Sequence, residues 1–199
     1  MIKYDEKANI ARLSHLHPSS RATFSLCCAT RQTTTWEEYA RQFRPNDVIA
    51  FRKTAETIWN TLASNVLPLN WKPTLDEVMG LFPGEESEAS SLHTYAEDAL
   101  ASLAYVIRCL IAGSEQEAAW SARRTYEMAD QAAIRQLGLQ PGGSAAEKQI
   151  LMHPTVQREL ERQERDLQIL ERHPFMEALD QLRLSAFSEQ TLALDEINL

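Results

Sequence analysis

Apolar residues recur along this chain in steps of three and four. The series Val48, Phe51, Ala55, Ile58, Trp59, Leu62 and Val66 forms one stripe, the spacing of a helix that buries a single face. Burying each large member of such a stripe stabilises the fold by about 1.5–3 kcal/mol before entropy costs. Ile10, Leu13 and Leu16 mark a shorter helix that stops near His17-Pro18, and Phe24, Leu26 and Cys27-Cys28 mark the next, ending at about Arg31. Trp36, Tyr39, Ala40 and Phe43 share a face of a third. From about Ser91 to Ala112 the face is wide, with Leu92, Ala96, Ala99, Leu100, Leu103, Ile107, Leu110 and Ile111. An alanine-rich segment follows to about Leu137.

The punctuation between these stripes is that of helix ends. Thr35-Trp36-Glu37-Glu38, Thr74-Leu75-Asp76-Glu77 and Ser114-Glu115-Gln116-Glu117 each read as a capping box, in which hydroxyl and carboxylate satisfy free backbone donors reciprocally. Thr33-Thr34-Thr35 reads as a break between helices, because clustered threonines favour turns and caps. Gly113 is a natural helix stop directly before the third box. So short a turn makes residues 91–137 a central antiparallel hairpin. Three of the five histidines precede proline, at His17-Pro18, His153-Pro154 and His173-Pro174. Each pair reads as a helix boundary with proline in the first turn. The stretch Leu139 to Ser144 reads as a long loop, and a charged helix begins at His153-Pro154. His173-Pro174 breaks it, and a last helix carries Phe175, Leu179 and Leu182. The pattern predicts an all-α, single-domain bundle of about eight to ten helices over residues 1–199, with a disordered tail from about 191.

Composition narrows the class of function. Hydrophobic residues make up 44% and charged residues 24% of 199, an ordinary globular mixture. The formal net charge of −8 opposes binding to nucleic acid and to anionic membrane surfaces, since both call for a basic footprint. The run Arg158-Glu159-Leu160-Glu161-Arg162 reads as a solvated helix face laced with ion pairs. Cys27, Cys28 and Cys109 are an odd set with a vicinal pair, which suits buried thiols in a reducing cytoplasm better than a disulfide framework. Met1 to Lys7 lacks the apolar core of a signal peptide, and the longest apolar run is too short to span a bilayer.

Tests for catalytic chemistry return little. Pro141-Gly142-Gly143-Ser144 lacks the lysine of a phosphate loop. No histidine has a glutamate three residues before it, as di-iron bundles require. No catalytic, cofactor-binding or metal-ligating residue is therefore assigned, and no cofactor is expected. One polar pair stands out, His93 and Glu97, a helical turn apart and able to act in proton transfer or metal binding; the plainer reading, and the favoured one, is a surface or helix-start histidine beside a solvated glutamate. The three His-Pro pairs could gather a metal only if the fold brought them together. The Cys27-Cys28 thiols would be reactive only with a lowered pKa, for which Arg21 and Arg31 are the nearby cations in sequence. Trp71 sits in a loop, either pinning it or facing a partner.

Thr23-Phe24, Arg31, Asp47, Phe51-Arg52, Ile58-Trp59-x-x-Leu62 and Pro154-x-Val156-x-x-Glu159 together resemble the YjaG-like bacterial family, known as domain of unknown function 416. The resemblance runs from about Ile10 to Glu171. It implies an all-helical bacterial cytosolic domain and carries no activity, cofactor or catalytic residue with it. The expectation from the whole is a non-catalytic protein-interaction module, with another protein or a second copy of itself as partner. The alternative is a small-molecule-binding or enzymatic bundle with a polar site near His93 and Glu97.

Overall fold

The helix that the others surround runs through Pro18–Thr30. Every position from Ala22 to Thr30 is buried, the signature of a helix enclosed on all sides rather than lying at a surface. Its polar residues are satisfied locally: the Thr23 hydroxyl donates to the Ser19 carbonyl (2.8 Å) and Ser25 to that of Ala22 (2.9 Å). The computed structural model describes residues 1–64, 70–84, 90–139 and 143–197. Val66, the 85–88 acidic stretch and most of the Pro141-Gly142-Gly143 loop lie outside them.

In chain order the helices are α1 (Glu6–Ser14), α2 (Pro18–Thr30), α3 (Thr33–Phe43), α4 (Ala50–Ser64), α5 (Lys72–Met79), α6 (Ser91–Ala112), α7 (Glu115–Leu137), α8 (Ser144–Leu151), α9 (Pro154–Arg172), α10 (Phe175–Ser188) and α11 (Leu194–Ile197). A 3-10 turn at Pro45–Asp47 leads into α4. The described residues contain no strand, so the fold is all-α. None of the described helices is long and apolar enough to cross a membrane. α2 packs against α6, α7, α4, α9 and α10. The core around it holds Phe24, Leu26, Trp36, Phe51, Ile58, Trp59, Leu100, Leu103 and Ile107. The Trp59 indole donates to the Thr30 hydroxyl at 3.0 Å, satisfying a buried donor.

α6 and α7 pack along each other across the Gly113-Ser114 turn. Ser102 meets Ser121 (2.8 Å), Asp98 meets Arg124 (3.3 Å) and Tyr95 meets Arg135 (3.1 Å). One partner's number falls as the other's rises, as the expected antiparallel hairpin requires. Ser114 caps α7 by accepting from the Glu117 amide. Gly113 sits at φ 65°, in the left-handed region that favours glycine. A Cβ there would stand 3.6 Å from that of Pro18, an ordinary contact. Gly113→Ala is thus expected to cost about 1 kcal/mol from backbone strain alone, read as a lower urea midpoint with an unchanged slope.

Two expected capping boxes are not caps. α3 begins at Thr33, with Gln32 in the capping position, and the Thr35 hydroxyl faces the Met128 sulfur at 3.8 Å inside the core. The threonine cluster therefore starts a helix instead of breaking one, and the Thr33 hydroxyl bonds back to the Thr30 carbonyl (2.6 Å). α5 begins at Lys72, with Pro73 in its first turn, which places Thr74 inside the helix. His17 and His153 do cap α2 and α9, each ring Nδ1 accepting the amide two residues on. His173 instead ends α9, and Pro174 caps α10. α8 fills the stretch between the expected Leu139–Ser144 loop and the charged helix, to which the sequence pattern assigned no element. The segment from about 191, expected to be a disordered tail, packs onto the bundle: Thr191, Leu192 and Ile197 are buried.

Candidate functional site

α2 ends at a corner where the chain turns directly into α3, and the corner residue is Arg31. Its guanidinium is wholly buried. α9 faces it with Glu159, Gln163 and Asp166, which lie at helical spacing among Val156, Leu160, Leu167 and Leu170 on the buried side. Arg31 donates to both oxygens of Glu159, Nη2 to Oε1 at 3.0 Å and Nε to Oε2 at 3.2 Å. Its Nη1 donates to Asp166 Oδ2 at 2.5 Å. The two-pronged contact with Glu159 uses the planar fork of arginine, which a lysine lacks.

The rest of the network closes around this pair. Arg165 reaches the other Asp166 oxygen at 3.0 Å. Gln163 donates to Glu159 Oε1 (2.9 Å) and to the Ala122 carbonyl of α7 (3.1 Å). The Thr191 amide donates to the Arg31 carbonyl (2.8 Å), and its hydroxyl to Glu159 (3.5 Å). Two arginines thus balance two carboxylates. Burial works against the charge of Arg31, but Glu159 and Asp166 outweigh it and hold the guanidinium well above its usual pKa.

The run 158–162 is not the solvated face expected from its composition. Glu159 is fully buried. Arg158 and Arg162 hold the C-terminal segment: Arg158 donates to the Thr191 carbonyl (3.1 Å) and Glu196 (2.6 Å), Arg162 to the Gln190 carbonyl (2.7 Å). Arg165 adds a two-pronged pair with Glu189 at 2.8 and 2.9 Å. The arrangement is a strap clamped across α9, and it explains why residues 189–197 pack onto the bundle.

The residues singled out by sequence fall in separate places. His93 and Glu97 do share a face of α6, with Nε2 and Oε1 3.6 Å apart, but Glu97 is exposed and His93 packs edge-on against Tyr39. The three His-Pro histidines sit at three different helix ends. Among the described residues, no three His, Cys, Asp or Glu are grouped so as to hold a metal ion. Cys27, Cys28 and Cys109 are free and buried. Burial pushes the thiols of Cys27 and Cys28 up and that of Cys109 to about 12, so all three stay protonated and poorly nucleophilic near neutral pH. Trp71 precedes α5 and is buried, and its indole nitrogen has no hydrogen-bond partner among the described residues. The sequence reading missed the Arg31 network. The signal it held was the spacing of Glu159, Gln163 and Asp166 within an otherwise apolar stripe.

Residues 8–191 match the family described as Protein of unknown function (DUF416). The fold is similar to the crystal structure of a DUF416 family protein from Shewanella baltica OS155, with a TM-score of 0.77 and 17% identity. The match covers 90% of this chain and 93% of that one. No curated protein matches the chain.

Proposed function

Since the chain belongs to the DUF416 family, whose function is unknown, we propose that it is a non-catalytic protein-interaction module of the bacterial cytosol that pairs with a second copy of itself. The observation behind this reading is three large apolar side chains that stand in water at the ends of neighbouring segments. Phe43 closes α3, Ile49 precedes α4 and Met79 closes α5, with 53%, 66% and 44% of their surfaces exposed. Arg44 ties these segments together, donating to Asp47 (2.8 Å) and to the Gly80 (3.2 Å) and Leu81 (2.6 Å) carbonyls. Single exposed apolar residues need no explanation, whereas several on neighbouring segments favour a contact surface. Arg44 and Asp47 supply the polar rim that such contacts carry. The chemistry elsewhere is turned inward: the Arg31 network is enclosed and charge-balanced, and the thiols are protonated. Three free, buried cysteines fit a reducing compartment.

Sedimentation velocity over a concentration series tests this reading. The wild-type chain is expected to shift from monomer to dimer, and Ile49→Glu to weaken the association by about tenfold or more. Ile49 is exposed, so the variant should keep its stability within about 0.5 kcal/mol. A wild-type chain that stays monomeric, or an Ile49→Glu chain that dimerises equally well, overturns the proposal.

A further inference from the structure

A second, smaller apolar cluster lies away from the main core, where α7, α8 and α9 meet. A cleft of about 470 Å³ opens at its edge, within the range of small-molecule pockets, about 300–1,000 Å³. α7 lines it with Tyr126, Asp130 and Ile134, one turn apart each, and α8 with Glu147, Ile150 and Leu151. The N-terminal segment closes one side through Lys3 and Tyr4, the Tyr4 ring stacked on Tyr126 with centroids 4.7 Å apart.

Asp130 is the half-buried carboxylate of the cleft. Half-buried Glu164, Glu189 and Glu196 pair with Arg12, Arg165 and Arg158, whereas Asp130, like Glu117, has no such ion pair among the described residues. Asp130 accepts a hydrogen bond from the Tyr126 hydroxyl at 3.3 Å, and among the described residues no cation pairs with it or with Glu147. A half-buried carboxylate without a cation is costly. Burial raises its pKa, the Tyr126 hydroxyl works against that, and Glu127 adds to it. The cleft thus offers two carboxylates against the single flexible Lys3, beside apolar walls.

We infer that this cleft binds a small organic ammonium ion with an apolar body, its charged group between Asp130 and Glu147 and its body against Ile134, Ile150 and Leu151. The ammonium gains charge-assisted hydrogen bonds, and the body covers the open edge of the small apolar cluster. The inference is independent of the dimer surface, which lies on α3, α4 and α5.

Isothermal titration of the full chain with phenethylammonium chloride is the test, with 2-phenylethanol and 3-phenylpropanoate as neutral and anionic counterparts. The ammonium is expected to bind about tenfold or more tightly than either. Asp130→Asn should weaken it about tenfold, and Glu147→Gln, at an exposed position, about threefold. Lys3→Gln should leave it unchanged or tighter, because a competing positive charge is removed. Circular dichroism checks that each variant is folded; should Asp130→Asn unfold, Glu147→Gln carries the test. No measurable binding of the ammonium, equal binding of the alcohol, tighter binding of the carboxylate, folded Asp130→Asn and Glu147→Gln chains that bind like wild type, or a Lys3→Gln chain that binds more weakly would each overturn the inference.

Discussion

Replacing Arg31 with methionine is expected to destabilise the protein by about 3–5 kcal/mol, the cost of removing one partner from a buried ion pair. The reason is the state of what remains. Glu159 loses both prongs of its guanidinium and keeps only Gln163 and Thr191 as neutral donors. It cannot move to water, because it is fully enclosed between α2, α7 and α9. Asp166 suffers less, because Arg165 still reaches it. The loss should appear as a lower urea midpoint for both helix content and tryptophan fluorescence. The direction carries functional meaning: strained, destabilised functional sites commonly gain stability when their residues are replaced. A stabilised Arg31→Met chain would therefore mark the network as a site rather than a scaffold.

The second large effect concerns pH. Asp98 lies in the α6–α7 seam with its side chain only 6% exposed. Burial outweighs Arg124 and pushes its carboxyl up to about 7 from an ordinary 3.8. A raised folded pKa means the native state holds a proton that the unfolded chain releases. The stability linked to Asp98 is therefore fully present below about pH 4 and is lost as pH rises through about 7. At roughly 1.4 kcal/mol per pH unit the change is on the order of 4 kcal/mol. Glu164, Glu189 and Glu196 act in the opposite sense and in another window. Despite burial, hydrogen bonds from Gln168, Arg165 and Thr155, with others, lower their pKa values. Their contribution is present above about pH 4.5 and lost below it. Asp98→Asn should thus remove most of the slope between pH 4 and 7 while leaving the acid limb intact. Urea titrations at a series of pH values check this, and an unchanged slope between 4 and 7 would contradict it.

What the sequence made legible follows from how locally each feature is determined. The long stripes of α4, α6 and α7 were readable because period and length agree, and Gly113-Ser114 was readable because a left-handed glycine and a hydroxyl cap sit side by side. The boxes at Thr35 and Thr74 misled because a threonine three residues before a glutamate fits a helix interior as well as its start. Only the preceding chain decides, and there the tight Arg31-Gln32 corner and the Lys72-Pro73 pair begin the helices earlier. α8 was missed because eight residues with Ile150 and Leu151 as their large apolar members carry little period. Glu159 was misplaced for a different reason. A charged run looks solvated, and only a partner 128 residues away, Arg31, makes its burial tolerable. Both residues are among those on which the sequence resembles the family, and the structure pairs them.

The packed C-terminal segment has the same origin. Residues 189–197 hold Leu192, Ala193, Leu194 and Ile197 in a span too short to show a helical period, so pattern alone gives them no place in the fold. Leu192 and Ile197 are buried, and Arg158, Arg162 and Arg165 supply the remaining contacts from a helix far earlier in the chain. The strap and the buried network share Thr191 and Arg165, so the two should loosen together.

The central claim is that the charges between α2 and α9 form a scaffold whose members depend on one another. A double-mutant cycle on Arg31→Met and Glu159→Gln, followed by urea unfolding, tests it most directly. If the account holds, neutralising Glu159 in the Arg31→Met chain removes the uncompensated charge, and the double variant regains at least about 1 kcal/mol over Arg31→Met alone. Two losses that simply add would contradict it.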